Sequence, residues 1–362
     1  MITIGKPEIK RINNTVRLQA VITIGEKEDI LWYAVEDKYG NFLTEERADA
    51  FVIGLLWKAL EHGYDIHVKA PISEQLYFTI NSFLIPIISQ FYNYKKINVI
   101  CEQLDSNPIP NAGAVGTGLS CGIDSFSTIY ENLMNDKPKN YQITHFTFFN
   151  TGSHGRYGKN WTRVLYKNRI KITRACANEL GKELIIVNSN VSQFVSFDFQ
   201  ATHTLRNISA VLALQKLFNV YYYSSTYHIN DFKLSTKDSA YYDVLNLSML
   251  STESVNLFST CPNFTRVDKT RLVAKFEPAY KYLNVCTRSA YNCGKCKKCL
   301  RTLLTLEMIG ALENFKSLFN LKSYYLNRSN FIEKVKAEYN SDSFLKEIYD
   351  EMVRTNFLSD RK

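Results

Sequence analysis

The sequence lacks any long apolar run. None of its segments approaches the roughly 18 consecutive apolar residues of a membrane-spanning helix. The first ten residues, M-I-T-I-G-K-P-E-I-K, also lack the basic start and apolar core of a signal peptide, and internal repeats and low-complexity tracts are absent. With 362 residues, 45% of them hydrophobic, the chain can bury a substantial core. We therefore expect a globular, cytoplasmic protein with no membrane partner.

Cysteine is unevenly distributed. Half of the eight cysteines crowd into one C-x6-C-x2-C-x2-C segment, Cys286, Cys293, Cys296 and Cys299, which favours metal binding over disulfides in a chain of this length. Two C-x2-C steps and a fourth thiol can close a tetrahedral Zn2+ site with no open position, which indicates a structural role. An iron-sulfur cluster and unligated thiols are the alternatives.

Acidic residues are outnumbered by basic ones. The formal net charge is +9, and basic residues concentrate between Arg266 and Arg301. This surplus suits an anionic ligand, a nucleotide and a nucleic acid equally, although a solvated basic face is the simpler interpretation.

Alternating apolar and amphipathic segments predict an α/β fold. Residues 1–105 predict a small α+β domain, which can dock a partner or a substrate. After the linker D-S-N-P-I-P-N-A-G, strand and helix patterns alternate over residues 113–275, which is typical of a doubly wound, mostly parallel sheet. Residues 276–362 predict a helical region around the four cysteines. In such a sheet, a ligand binds beyond the carboxyl ends of the strands.

One strand-to-helix turn, G-T-G-L-S-C-G-I-D-S, is suited to phosphate. Its small residues let backbone N–H groups approach an anion, and the following helix N-terminus adds partial positive charge. Asp124 would make sense there as a ligand of Mg2+ that bridges phosphate oxygens. The simpler alternative is an ordinary turn in which Asp124 or Ser125 caps the helix.

The motif S-C-G-I-D-S resembles the S-G-G-x-D-S loop of the PP-loop ATP pyrophosphatases, which cleave ATP to AMP and pyrophosphate. The segment N-C-G-K-C-K-K-C-L-R-T is similar to the zinc segment of 7-cyano-7-deazaguanine synthase and its relatives in bacterial defence operons. The resemblance covers residues 113–312 and implies an adenine nucleotide alpha hydrolase-like fold with bound ATP, Mg2+ and structural Zn2+.

The resemblance also implies site residues. The ATP-binding loop falls on Ser120, Cys121, Gly122, Ile123, Asp124 and Ser125. Cys121 stands where the family has its first glycine, so its side chain either crowds the loop or points away, and a reactive thiol is a further possibility.

Three residues outside the loop are candidates for substrate chemistry. By resemblance, Arg206 and Asn207 fall on a substrate-binding pair, and Lys269 is the cation expected to stabilise phosphate charge. With Asp124, Arg206 and Lys269 form the expected catalytic set. His154 and His203 follow predicted strand ends and can touch a ligand, although a lone histidine is more often structural.

The expected function is ATP-dependent ligation. ATP adenylates a small heterocyclic carboxylic acid resembling 7-carboxy-7-deazaguanine, and ammonia or an amine then displaces AMP to give an amide, a nitrile or a conjugate with a protein acceptor. Two other hypotheses remain: a sulfur transferase acting on tRNA, and a non-catalytic adenine-nucleotide sensor or scaffold that engages an operon partner.

Overall fold

The computed structural model describes residues 1–153, 160–195 and 198–357. Its strands are β1 (Ile2–Ile4), β2 (Glu8–Ile12), β3 (Thr15–Ile24), β4 (Lys27–Glu36), β5 (Ile66–Val68), β6 (Ile72–Ser73), β7 (Val99–Cys101), β8 (Leu104–Asp105), β9 (Ala114–Gly118), β10 (His145–Asn150), β11 (Glu183–Ser189), β12 (Phe218–Ser224) and β13 (Asn256–Thr260). Its α-helices are α1 (Asp49–His62), α2 (Glu74–Thr79), α3 (Ile85–Tyr92), α4 (Ile123–Met134), α5 (Asn160–Glu179), α6 (Val191–Phe194), α7 (Phe199–Leu212), α8 (Asp243–Leu250), α9 (Arg266–Val273), α10 (Ala279–Tyr282), α11 (Lys297–Met308), α12 (Leu321–Glu338) and α13 (Ser343–Arg354). A π-helical segment, Ile80–Leu84, joins α2 to α3 just before Pro86.

Eleven strands form one mixed, mostly parallel sheet in the order β13-β12-β9-β10-β11-β4-β3-β1-β5-β7, with β2 paired to β3. From β13 to β11 all pairs are parallel. Within this half, chain order reverses between β9 and β12, because β9 leads to β10 on one side and β12 leads to β13 on the other. The chain is thus an α/β protein consistent with a doubly wound fold, and the reversal marks the crevice where such sheets bind ligands.

Helices cover both faces of the parallel half. On β11, Leu184 and Ile186 join one buried cluster, whereas Ile185 and Val187 join the other, as the two-residue period of a strand requires. The first cluster contains the apolar faces of α4, α5 and the C-terminal helices, and the second contains those of α1, α7 and α8. A strand that is apolar on both faces is typical of a sheet covered on both sides.

The N-terminal strands continue the same sheet. Strand β4 pairs antiparallel with β11, with Ala34 opposite Asn188 and Tyr33 opposite Ser189. The Asn190 side chain extends this contact, because it accepts from the Trp32 N–H at 3.0 Å and donates to the Ile30 carbonyl at 2.8 Å. The segment that the sequence predicts as a small α+β domain therefore shares both a sheet and a core cluster with the rest of the chain.

One helix differs in position from the sequence expectation. The pattern predicts a helix over 205–218, but α7 begins at Phe199, since the Asp198 side chain caps it by accepting from the Gln200 N–H at 3.2 Å. As a result Arg206 and Asn207 lie within the helix and not at its start. Among the helices of the described ranges, none is both long and apolar enough to cross a bilayer.

Candidate functional site

The loop between β9 and α4 presents the N-terminus of α4 at the point where strand order reverses. Ser120 Oγ donates to Ser125 Oγ at 3.2 Å, and Ser125 in turn donates to the Gly122 carbonyl at 3.2 Å. The first helical hydrogen bond runs from the Phe126 N–H to the Gly122 carbonyl at 3.0 Å. The N–H groups of the residues just before Phe126 have no intrahelical acceptor, so they are the donors that an anion can use. Ile123 is 2% exposed, so it can offer only its backbone there.

Cys121 points away from this anion site. Its φ of 58° lies in the left-handed region that favours glycine, which matches a position where the resembling family has glycine. The thiol is 1% exposed, packs in the core beneath α5 and lies against Cys176. The contact with Cys176 and burial raise the pKa of Cys121 well above its usual range. The loop backbone therefore keeps its curvature while the thiol is withdrawn from the cavity.

Two cations converge on Asp124. Arg266 Nη1 lies 2.9 Å from Asp124 Oδ1, and Lys269 Nζ lies 3.8 Å from the same oxygen. Lys269 is fully buried and donates to the Ser225 carbonyl at 2.7 Å and to Ser225 Oγ at 2.8 Å, at the carboxyl end of β12. Burial lowers the pKa of Lys269 to about 8, although Asp124 opposes this shift. The ammonium is thus held in place and poorly solvated, which is the condition in which a charge acts strongly on a neighbouring ligand.

More cations surround this pair. Lys298, at the start of α11, lines the cavity beside the loop, as does Arg169 of α5. Arg301 is one helical turn further along α11, its guanidinium lies 3.8 Å from the centre of the Phe344 ring, and burial lowers its pKa to about 10. Burial also raises the pKa of nearby Glu347 to about 7, so this carboxyl is only partly ionised at neutral pH. The cation cluster consists of Arg169, Arg266, Lys269, Lys298 and Arg301.

A cavity of about 320 Å³ opens in front of the loop and the cation cluster, at the carboxyl ends of β9, β10 and β12. Ser120, Asp124 and Ser125 line one end, and Phe199, His203 and Asn207 of α7 line another part. The structure therefore brings the predicted loop and Asn207 to one cavity, with Lys269 behind Asp124. His154 lies outside the described residues.

Arg206 lies behind the cavity wall. It is 4% exposed, its Nη2 donates to the Val195 carbonyl at 3.2 Å, and its guanidinium lies 5.7 Å from the centre of the Phe199 ring. A Cβ on Gly152 would approach Arg206 Nη1 to 2.7 Å, so this arginine packs tightly beneath the loop that follows β10. Its position supports the wall, whereas the predicted direct contact with substrate stays a prediction.

The four cysteines of the C-terminal region form a compact group. Their sulfur atoms all lie within 4.8 Å of one another, and the Cys293–Cys299 and Cys286–Cys296 pairs are each 3.9 Å apart. Zinc-sulfur bonds of about 2.3 Å in a tetrahedron place sulfur atoms about 3.8 Å apart. The group can thus hold a metal ion such as zinc.

The segment that carries these cysteines is fixed to the loop between β9 and α4. Asn292 Oδ1 accepts from the N–H groups of Val285 and Cys286, at 2.9 and 3.3 Å. The Asn284 N–H donates to the Cys121 carbonyl at 2.7 Å. A metal ion that orders this segment would therefore also order the loop.

We compared the chain with models of protein families, with curated proteins and with solved structures, and none of the three comparisons found a match. The function proposed below is therefore argued from the residues of the site together with the motif resemblance described above.

Proposed function

We propose that the protein activates a carboxylate with ATP, releases pyrophosphate, and transfers the acyl group from AMP to ammonia or an amine. The observation that carries this proposal is the loop of residues 120–125 at the strand-order reversal, whose Asp124 lies beside the cation cluster. A helix N-terminus with converging cations is a site for a polyanion. The sequence resemblance supplies the reaction type, since the PP-loop enzymes cleave ATP between its α and β phosphates.

Each part of the site has a task in this reaction. Backbone N–H groups at the start of α4 hold phosphate oxygens, while Arg266 and Lys269 neutralise the charge that develops on the departing pyrophosphate. Loss of one such preorganised donor costs about 100- to 1000-fold in rate. Asp124 is the residue that would hold Mg2+, and both of its ion pairs use Oδ1. Magnesium, when bound, screens the phosphate charge that the carboxylate would otherwise repel.

The acid is proposed to lie against α7. Phe148, Phe149 and Phe199 line the cavity, so a flat heterocyclic acid of the 7-carboxy-7-deazaguanine kind suits its apolar surfaces. Asn207 is oriented by two hydrogen bonds, from Thr151 Oγ1 at 2.7 Å and to Tyr223 Oη at 3.1 Å. It would recognise a planar substrate through the hydrogen-bonding capacity that these bonds leave.

We propose that Cys286, Cys293, Cys296 and Cys299 hold Zn2+ in a structural role. Four thiolates complete a tetrahedral shell, so no position remains for water or substrate. The hydrogen bond from Asn284 to Cys121 supports the idea that this site stabilises the nucleotide loop.

The sulfur-transferase alternative gains little support. Persulfide transfer needs an accessible thiolate, whereas Cys121 is buried with a raised pKa. The sensor alternative differs from the proposal only in turnover, so a product assay separates the two.

The test is mass spectrometry of products after incubation with MgATP, ammonia and a panel of heterocyclic carboxylic acids. We expect acid-dependent AMP and pyrophosphate, with an amide or nitrile of one acid. Asp124→Asn should lower AMP formation by about 100-fold or more. The matched control is Asp136→Asn, an exposed aspartate just beyond the other end of α4, which should leave it unchanged. ADP as the main product would contradict the proposal, and ATP binding without turnover would favour a sensor.

A further inference from the structure

A chain of hydrogen bonds runs along the α7 wall of the cavity. Asn207 Nδ2 donates to Tyr223 Oη at 3.1 Å, Tyr223 Oη lies 2.7 Å from His203 Nδ1, and His203 Nε2 lies 3.3 Å from Asp238 Oδ1. The His203 and Tyr223 rings are parallel within 6° and their centres are 6.2 Å apart. Three of these four residues line the cavity that the nucleotide loop faces, and Asp238 stands behind them.

The residues at the two ends of this row of hydrogen bonds, Asn207 and Asp238, are held by further hydrogen bonds. At one end, Thr151 Oγ1 donates to Asn207 Oδ1, so the Asn207 amide nitrogen is turned towards Tyr223. At the other, Asp238 accepts from Tyr227 Oη at 3.2 Å and from the Ala240 N–H at 3.0 Å.

Because Tyr223 already accepts from Asn207, its own proton is directed to His203 Nδ1. The second ring nitrogen, Nε2, then carries the hydrogen that Asp238 accepts. This assignment of the tautomer follows from the bonding network. With this tautomer, His203 has a carboxylate behind it, the arrangement that lets an imidazole accept a proton and stabilises the resulting cation.

Among the residues that the structure describes, the charged and titratable groups around His203 are Asp238, Asp243, Tyr223 and Tyr227. Asp243 is fully buried beside the histidine, and its Oδ1 accepts from Thr204 Oγ1. Burial, and then the Asp243 charge, raise the pKa of Tyr223 well above its usual range. The Tyr223 phenol therefore stays protonated and can pass a proton on without holding a phenolate.

We infer that Tyr223 and His203, backed by Asp238, form the proton relay that receives the proton of the nitrogen nucleophile in the second step. The inference rests on the proposed function. The nitrogen lone pair forms the bond to the acyl carbon, and the bond from that carbon to the AMP oxygen breaks with its electron pair on AMP. The nitrogen proton goes to Tyr223 Oη as the Tyr223 proton goes to His203 Nδ1, and the imidazolium later releases a proton to water.

The test separates the two steps of the reaction in His203→Gln and Tyr223→Phe. Acid-dependent pyrophosphate release, measured in a single turnover with the protein in excess over ATP, reports the first step, and amide formation from ammonia in the same experiment reports the second. We expect pyrophosphate release to stay within a few-fold of wild type while amide formation falls by about 100-fold or more, the usual contribution of general acid-base catalysis. The matched control is His145→Gln, at the opposite end of the same sheet, with both rates unchanged.

A second nucleophile distinguishes proton transfer from a structural effect. Hydroxylamine is largely unprotonated at neutral pH, so it needs less help from a base than ammonium does. Hydroxamate formation in the His203→Gln variant should therefore fall much less than amide formation does, and Asp238→Asn should give the same pattern with a smaller loss.

Other outcomes overturn the relay. If pyrophosphate release and amide formation fall together, or if the hydroxylamine and ammonia reactions lose rate equally, the network is only structural. If the wild-type protein releases pyrophosphate but both relay variants form amide at its rate, the relay is wrong while the proposed function stands. An absence of pyrophosphate release in the wild type instead refutes the proposed function, and the relay with it.

Discussion

A glycine in the four-cysteine segment gives the sharpest test of the C-terminal architecture. Gly294 lies between two of the clustered cysteines with φ at +70°, and a Cβ there would lie 2.2 Å from the Asn320 carbonyl oxygen. Gly310, after α11, has φ at +69°, yet a Cβ there meets nothing within 4 Å. The change Gly294→Ala therefore combines a left-handed backbone with a clash, whereas Gly310→Ala imposes the backbone conformation alone.

The difference in unfolding free energy between the two variants measures the cost of the contact between the new Cβ and the Asn320 carbonyl oxygen. A left-handed alanine costs about 1–2 kcal/mol at either position. At Gly294 a backbone oxygen must also retreat by about an ångström, because real Cβ atoms do not come within 3.0 Å of such a neighbour. Metal ligands need positions good to about 0.2 Å. We expect Gly310→Ala to lose about 1 kcal/mol of unfolding free energy, and Gly294→Ala to lose about 3 kcal/mol or more.

The measurements are urea unfolding, metal content of the purified protein by mass spectrometry, and the rate of zinc release to a chelator. Wild type and Gly310→Ala should each hold one metal ion per chain, and Gly294→Ala should hold less and release it faster. Equal unfolding midpoints and equal metal contents for the two variants would refute the close packing of this segment against Asn320.

Three further predictions concern the loop of residues 120–125 and the cations beside it. Lys269→Met should fold, because Asp124 keeps its ion pair with Arg266 at 2.9 Å and is not left as an unpaired charge, but AMP formation should fall by about 100-fold or more; unchanged turnover would remove Lys269 from the mechanism. Since the pKa of Lys269 is lowered to about 8, kcat/KM should decrease above that pH, and the unfolding free energy should instead rise from there towards pH 10.5 as the cost of the buried charge is relieved; a pH profile flat across this range contradicts both. Cys121→Gly removes the left-handed strain and a small buried side chain, two effects of about 1 kcal/mol each and of opposite sign, so stability and turnover should both be retained; lost turnover there but not in Cys176→Ala would indicate thiol chemistry.

Much of the parallel half of the sheet could be predicted from the sequence. Its inner strands are apolar on both faces, so the apolar runs that predict 115–119 and 144–150 coincide closely with Ala114–Gly118 and His145–Asn150. The edge strand Asn256–Thr260 was missed, since its partly exposed residues give a weak pattern. Pairing of β4 with β11 was also missed, because a contact between distant segments leaves no local signal.

Local spacing predicts the loop and the cysteine group, but not the rest of the site. Lys298 and Arg301 are three residues apart on one helix, so the sequence predicts that they share a face of it. The sequence near these residues does not predict that this face lies beside Asp124. The relay joins a residue of α7 to Tyr223 of β12 and Asp238 of a later turn, and only the folded chain brings those together. The site residues that the sequence does not predict are those whose partners lie far away along the chain.

The seam between β4 and β11 bears on how the chain is made. During synthesis the hairpin of β3 and β4 leaves the ribosome before β11, so the edge at Tyr33 and Ala34 stays unpaired until residues 188 and 189 follow. A chain shortened to begin after residue 105 would leave β11 as an unpaired edge strand with apolar side chains on both faces. Such an edge is prone to self-association. Production of residues 106–362 alone should therefore yield aggregates, while co-expression with residues 1–105 should rescue solubility.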